Sequence, residues 1–386
     1  MPGEAHPAKS RNEPSGDMVD TRWMARALAL AARGRGLTSP NPMVGAIVVR
    51  DGAILAEAFH ERAGAPHAEA AALASAGARA RGATLYVTLE PCNHSGRTPP
   101  CVEAIIRAGV RRVVSATRDP NPRVTGGGAA TLVAAGVEVT MGCLEREAHD
   151  LNRVFFTATE RQRPHVTLKW AMTLDGKIAA FDRKSRWITG EAARREAHRL
   201  RSQSDAIVTG IGTVLADDPA LTVRLDRPWP REPYRVVVDG RARLPLDGAL
   251  LRAGSRSRIL VAVGEDAPAP RVAALESSGV TVLPCKSREG RVDVVDVCAR
   301  LHALDVTGVL LEAGSELTGA FVQAGLVDRV AVFVAPKVLG GAGAPTPAGG
   351  PGLALGDALR LTDLTARPVG DDWLLEGNVQ HLDPST

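Results

Sequence analysis

The sequence predicts an α/β protein of two domains. Three observations carry that expectation. The chain is 386 residues long, beyond the usual size of one domain. Apolar, strand-like runs alternate with helix-like segments almost throughout, as they do when helices cover the faces of a sheet. A short polar stretch at 161–164 interrupts that alternation and reads as a linker between two halves. Hydrophobic residues make up 45% of the chain and charged residues 23%, enough for two cores. Aromatics are only 3%, so those cores must rest on Ala, Val and Leu.

In the first half, residues 20–33 read as an amphipathic helix, with Asp20 or Thr21 as cap and Gly34 as stop. The run 43–50 (MVGAIVVR) is a buried strand, and Asp51-Gly52 is a hairpin turn into a second strand over 53–59. Pro66 opens an Ala-rich helix over 67–80. A strand over 84–89 follows, Pro99-Pro100 opens a helix over 101–108, and 112–116 is a strand. A helix over 129–135 and a strand over 137–140 close this half. A meander followed by βα alternation implies a mixed sheet. The second half has expected strands over 165–170, 206–209, 235–239, 258–263, 280–283, 309–312 and 329–335, a helix over 191–203, and helices between most of the strands. No repeat relates the halves, and 340–352 is a Gly/Pro-rich loop. The expected division is a disordered tail over 1–17, one domain over 18–160 and another over 164–386.

Composition excludes several classes of function. A net charge of +4, with no clustered basic face, gives no footprint for nucleic acid. No stretch approaches the ~20 apolar residues of a membrane span. The tail lacks the apolar run of a signal peptide, and five cysteines in so long a chain do not make a disulfide scaffold. We therefore expect a cytoplasmic protein, with thiols available to a metal and with no membrane or nucleic-acid partner.

Three strong zinc ligands, His67, Cys92 and Cys101, fall close together. His67 and Cys101 each begin an expected helix, and Cys92 follows a strand end. Helix N-termini favour negative charge and so favour the thiolate that binds metal. Glu69 lies in the first turn of the His67 helix, where it reaches a water on the metal without being a ligand. Three protein ligands plus water is the open arrangement of a catalytic zinc. His67-Ala68-Glu69 with Pro91-Cys92 matches the His-x-Glu…Pro-Cys-x-x-Cys signature of zinc deaminases, except that the second cysteine comes later, at Cys101. Two other readings stand beside this one. His94 would close a structural Cys2His2 site and leave Glu69 an ordinary helix residue, or the cysteines bind nothing.

The segment 90–101 (EPCNHSGRTPPC), with 40–45 (PNPMVG), 63–69 (AGAPHAE) and 119–122 (DPNP), resembles the zinc loop and its surroundings in the RibD family of riboflavin-biosynthesis enzymes. The second half resembles the reductase of the same family at 173–179, 185–189, 212–224, 311–314 and 335–337. The resemblance runs from about residue 20 to near the C-terminus. It implies a cytidine-deaminase-like αβα domain followed by a dihydrofolate-reductase-like α/β domain. It also implies one Zn2+ per chain and two consecutive reactions on a small-molecule phosphoribosyl pyrimidine. The first is deamination of 2,5-diamino-6-(5-phosphoribosylamino)pyrimidin-4-one by zinc-activated hydroxide, with Glu69 moving the protons. The second is NADPH-dependent reduction of the ribosyl chain to a ribityl chain. A homo-oligomer is expected.

No Gly-x-Gly-x-x-Gly fingerprint follows a strand in the second half, and Gly210-Ile211-Gly212 is only a fragment. The turn after Glu312 is a better place for a phosphate, because Gly314 and Ser315 start a helix at a strand's end. Spacing alone fits an ordinary strand-to-helix turn equally well. By resemblance, Ala171, Trp187, Thr213, Asp217, Gly314, Ser315, Glu316, Leu317, Thr318, Gly319 and Ala320 contact NADP. Ser185, Arg201, Leu221, Arg224 and Glu312 contact the substrate, the two arginines as clamps on the ribose 5-phosphate. The competing reading of the arginines is surface solvation, and that of Trp187 is core packing. Gly240 stands where many relatives offer the cofactor a serine. Asp217-Asp218-Pro219 suggests a metal or a simple turn. Two other functional classes remain, a nucleobase-editing deaminase and a structural zinc protein with a degenerate reductase.

Overall fold

A computed structural model describes residues 16–93, 99–122, 124, 127–255 and 257–381. Most of the expected disordered tail, and His94 with the residues up to 98, lie outside them. The chain divides into two compact units, 1–152 and 153–386. The break falls ahead of the stretch 161–164 read as a linker.

The first unit contains α1 (Gly16–Ala31), β1 (Gly45–Arg50), β2 (Ala53–Phe59), α2 (Ala68–Ala76), β3 (Thr84–Val87), α3 (Cys101–Ala108), β4 (Arg112–Ser115), α4 (Gly127–Ala134), β5 (Glu138–Met141) and α5 (Glu145–Leu151). Its sheet runs β2-β1-β3-β4-β5. β1 is antiparallel to both its neighbours, and β3, β4 and β5 are parallel. This is the mixed sheet expected from the meander. Asp51 (φ 51°) and Gly52 (φ 72°) both take left-handed conformations, as the tightest hairpin turns require. The apolar face of α1 (Trp23, Met24, Ala27) packs on Ile47, Tyr86 and Val114. Gly45 permits that contact, because a Cβ there would fall 2.0 Å from the Ala27 carbonyl oxygen. Asp20 does not cap α1, which begins earlier, at Gly16. Its buried carboxylate instead accepts hydrogen bonds from Arg112 (2.9 and 2.7 Å) and the Tyr86 hydroxyl (2.8 Å). A buried charge is tolerated only when paired in this way.

The second unit contains α6 (Arg153–Arg161), β6 (His165–Thr173), α7 (Glu191–Ser202), β7 (Ala206–Gly210), α8 (Ile211–Asp217), β8 (Tyr234–Val238), α9 (Ala249–Arg252), β9 (Ile259–Val263), α10 (Ala269–Ser277) and β10 (Thr281–Pro284). It continues with β11 (Ser287–Arg288), β12 (Arg291–Val292), α11 (Val294–His302), β13 (Gly308–Leu311), α12 (Ser315–Gln323), β14 (Arg329–Ala335), β15 (Leu361–Val369) and β16 (Asp372–Val379). The large sheet runs β10-β9-β8-β7-β13-β6-β14-β16-β15. Its strands are parallel from β10 to β14. β16 then pairs antiparallel with β14 and with β15. α6 packs on β6 and β13, which draws it into this unit.

Parallel sheets bind ligands beyond the carboxyl ends of their strands. The sites expected from the sequence fall there: Ala171 near the end of β6, Thr213 just past β7, Gly240 past β8 and Glu312 past β13. At the opposite, amino end of β14, Asp328 gathers the Arg163 guanidinium (2.7 and 2.8 Å), the Val166 N–H (2.8 Å) and His381 (2.9 Å).

Candidate active sites

His67 is the N-cap of α2, in extended conformation (φ −66°, ψ 153°) behind Pro66, so its ring stands in front of the first helical turn. Cys101 begins α3 behind Pro100, and Cys92 lies beyond the end of β3. The three side chains converge: His67 Nδ1 is 3.2 Å from Cys101 Sγ and 3.6 Å from Cys92 Sγ. Tetrahedral zinc, with bonds of about 2.0 Å to nitrogen and 2.3 Å to sulfur, spaces such donors roughly 3.3–3.8 Å apart. Donor chemistry and spacing therefore both fit zinc. Among the described residues this is the one such cluster of His, Cys and acidic donors.

The Cys101 N–H, at the helix start, donates to Cys92 Sγ (3.3 Å). Hydrogen bonding with the Cys101 thiol, reinforced by His67 and that N–H, outweighs burial and brings Cys92 down to about 4. The same pairing pushes the Cys101 thiol up in the absence of metal. Glu69 is 4% exposed, and burial raises its carboxyl pKa, which suits a group that both takes and gives protons. Two neighbours were not singled out from sequence. Buried His60 bonds the Pro66 carbonyl (3.1 Å) and Asn41 Nδ2 (3.2 Å), with its ring edge-on to His67 at 5.8 Å. Buried Glu90 accepts from the Ala129 N–H (3.0 Å) and ties the Cys92 loop to α4. Asn41 belongs to the 40–45 segment and Glu90 to the 90–101 segment, so the resemblance touched this support without giving either residue a role.

Purified protein should hold about one zinc per chain. Cys92→Ser should lose more than about tenfold in zinc affinity, since removing even a group that supports a ligand costs 10–100-fold. Metal analysis after dialysis against a competing chelator measures this, and full occupancy in the variant would refute the ligand set.

In the second unit the expected residues meet in pairs. The Gly314 N–H donates to Thr213 Oγ1 (3.1 Å), which joins the starts of α8 and α12. Ser185 Oγ donates to Asp217 Oδ1 (3.0 Å). Leu317 packs on Gly210, and Glu316 reaches Arg291 at 3.8 Å. The 340–352 loop lies on α12: the Gly349 N–H donates to the Ser315 carbonyl (2.9 Å), and a Cβ on Gly319 would sit 2.0 Å from Gly349 O. Thr318 is buried, Ala320 packs on the main core and Ala171 on a smaller one. Trp187 is 62% exposed, which removes the core-packing reading. The Arg194 guanidinium lies 4.6 Å from its ring, and Lys337 Nζ donates to the carbonyls of Trp187 and Ile188 (2.9 and 2.7 Å). Asp218 ends α8 in a left-handed conformation (φ 39°) and accepts from the Ala249 N–H (2.6 Å), so the turn reading holds there. A Cβ on Gly240 would meet only Val292, at 3.4 Å, so a serine would fit.

Arg201 and Glu312 form a bidentate pair (2.6 and 2.9 Å), with Lys169 at 3.5 Å from the same carboxylate. Surface solvation is therefore the wrong reading of Arg201. Burial would push Glu312 up, but the charges of Arg201 and Lys169 outweigh it and hold the carboxyl at about 2. Arg201 Nη1 also donates to the Thr222 carbonyl (3.1 Å), between Leu221, buried with φ 49°, and Arg224, exposed. Lys169, Lys337 and His198 went unread in the sequence. Only Lys337 lay in a segment that carried the resemblance.

A zinc-fitting His/Cys/Cys cluster beside a buried glutamate is the arrangement of a zinc deaminase, and a separate, largely parallel sheet follows it in the chain. Residues 18–117 match the cytidine and deoxycytidylate deaminase zinc-binding region, and 164–375 match the RibD C-terminal domain. The chain is 43% identical to riboflavin biosynthesis protein RibD of Actinobacillus pleuropneumoniae over 93% of this chain and 95% of that one. It is also 43% identical to RibD of Aquifex aeolicus, over 92% and 98%. Among solved structures, Acinetobacter baumannii RibD superposes with a TM-score of 0.85 at 39% identity, covering 95% of this chain and all of that one. A Thermotoga maritima diaminohydroxyphosphoribosylaminopyrimidine deaminase/5-amino-6-(5-phosphoribosylamino)uracil reductase does so at 0.82 and 35%, covering 94% and 99%. The chain belongs to the RibD family, the bifunctional zinc deaminases and NADPH-dependent reductases of riboflavin biosynthesis.

Proposed function

We propose that the first site hydrolyses the exocyclic amine of 2,5-diamino-6-(5-phosphoribosylamino)pyrimidin-4-one. The second site then reduces the ribosyl chain of the resulting pyrimidinedione to a ribityl chain. The observation that carries this reading is the convergence of His67, Cys92 and Cys101 beside buried Glu69. These three residues would hold zinc, which supplies a Lewis acid that makes hydroxide available at neutral pH. Glu69 takes one proton from the attacking water and gives it to the ring nitrogen, then takes the proton of the hydroxyl now on the ring carbon and gives it to the departing amine, which releases ammonia and leaves a carbonyl.

At the second site the α12 start, Thr213, Asp217 and Trp187 would hold NADPH, which supplies a hydride. Glu312, fixed by Arg201 and Lys169, would orient the ribose hydroxyls, and Arg201 and Arg224 the 5-phosphate. Supply of the diaminopyrimidine without NADPH should yield ammonia and stop at the dione, and NADPH should carry it to the ribityl product. NADPH should be preferred to NADH, given the arginines available for a 2′-phosphate. Equal kcat/KM for the two cofactors would refute that preference.

We also read the outer face of β15 as an interface between copies of this chain, which makes the protein a homo-oligomer. Leu361 and Leu364 are exposed on this strand, which has a neighbour on one side alone among the described residues, the kind of edge natural proteins cover. No helix among the described residues is long and apolar enough to cross a membrane. Reliance on reduced thiols fits the cytoplasm.

A further inference from the structure

His198 and Arg201 lie one turn apart on α7 and face the same segment, 222–224. The His198 ring is 3.2 Å from the Arg224 main-chain nitrogen and 3.3 Å from Arg224 Nε. The Thr222 carbonyl accepts from Arg201 and is also bonded to His198. Arg201 is already paired with Glu312, which Lys169 also faces. Arg224 has no carboxylate within ion-pair distance among the described residues, and its guanidinium is set against this imidazole. An exposed arginine on a loop would otherwise sample many rotamers, and fixing it costs side-chain entropy.

We propose that His198 is a positioning residue for substrate recognition: it holds Arg224 in the rotamer that meets a phosphate monoester dianion. This rests on the reading of Arg224 as part of the phosphate clamp and deepens it. The role requires a neutral ring in the tautomer that leaves Nε2 unprotonated, so that its one lone pair meets the Arg224 Nε–H and the other nitrogen's N–H is left for the Thr222 carbonyl; a protonated ring has no lone pair and repels the guanidinium. The surroundings provide for that. Burial first, then the charges of Arg201 and Arg224, hold His198 down at about 4, against the opposing pull of Glu312 and the Thr222 carbonyl. The ring thus stays an acceptor throughout the neutral range. A leucine would fill the space without accepting a hydrogen bond, and a glutamine would accept one.

The test is steady-state kinetics of the reductase on the deaminated intermediate and on its dephosphorylated analogue, with deamination as a check of folding. His198→Leu should raise KM for the phosphorylated substrate about tenfold, the worth of one hydrogen bond to a charged group, with kcat unchanged. It should leave the dephosphorylated analogue unaffected. His198→Gln should restore KM to within about twofold of the parent enzyme. The double variant His198→Leu/Arg224→Ala should be no weaker than Arg224→Ala alone, as for two residues acting through one contact. Equal losses on both substrates, or a full His198→Leu effect in the Arg224→Ala background, would overturn the role of His198 while the clamp stands. An Arg224→Ala enzyme that treats both substrates alike would overturn the clamp itself.

Discussion

Glu69→Gln should abolish deamination and leave reduction intact. Glutamine keeps the length and the hydrogen-bonding shape of the side chain but neither takes nor gives a proton at neutral pH. Glu69 stands outside the His67, Cys92 and Cys101 cluster, so zinc content should not change. Deamination should fall by about 10²–10⁴, the usual worth of a positioned acid–base group. Glu69 is buried, so the substitution also replaces a carboxyl with a neutral amide where burial already favours the uncharged form. The fold should therefore tolerate it. Given the deaminated intermediate, the variant should oxidise NADPH at a near-parental rate. Given the diaminopyrimidine, it should oxidise almost none. Near-normal ammonia release would defeat the mechanism, and loss of both activities from zinc-loaded protein would defeat the assignment of the two reactions to separate sites.

The deaminase site was legible because its chemistry is local in sequence. Pro66 and Pro100 announce the two helix starts where His67 and Cys101 sit, and Cys92 follows a strand end, so residue type and the deaminase signature led to the cluster the structure brings together. The reductase site is spread over the ends of β6, β7, β8 and β13, and no short motif links them. Only resemblance assembled Ser185 with Asp217 and Arg201 with Glu312. His198 escaped because a histidine in a helix with several arginines reads as part of a solvated face. What makes it a contact is the 222–224 segment folding back from beyond β7. β15 and β16 went unread for a different reason: β15 is exposed along nearly its whole length, so it lacks the one-sided apolar alternation that marks a strand. α6 was lost to the linker reading because the boundary was drawn from the polar stretch at 161–164. Its buried residues, Phe156 and Ala158, commit it to the sheet that follows.

Asp328→Ala should produce the largest loss of stability in the second unit. Asp328 is buried just ahead of β14 and binds Arg163 through two bonds, the Val166 N–H and His381, with Arg161 at 3.4 Å. These partners come from the entry to β6 and from the chain just past β16, so one carboxylate joins both ends of the unit. Its removal leaves the largely buried Arg163 guanidinium and the Val166 N–H without their acceptor. Breaking a buried pair by deleting one partner costs ~3–5 kcal/mol. At ~2–4 °C per kcal/mol for a domain of this size, thermal inactivation of the reductase should move down by roughly 6–20 °C. The effect should also depend on pH with a definite sign. Burial would push the Asp328 carboxyl up, but hydrogen bonds from Arg163 and His381 and the positive charge nearby outweigh it and hold the group well below the usual carboxylate range. The unfolded chain therefore binds this proton at higher pH than the folded one. The stabilisation is full above about pH 5, begins to fall near the unfolded value of ~3.9 and is lost only as pH falls on toward the depressed folded value. Inactivation midpoints of parent and variant, measured from pH 7 down to 3.5, should converge toward the acid end. A gap under about 2 °C at pH 7, less than 1 kcal/mol by the same scaling, would show that the carboxylate does not hold the unit together.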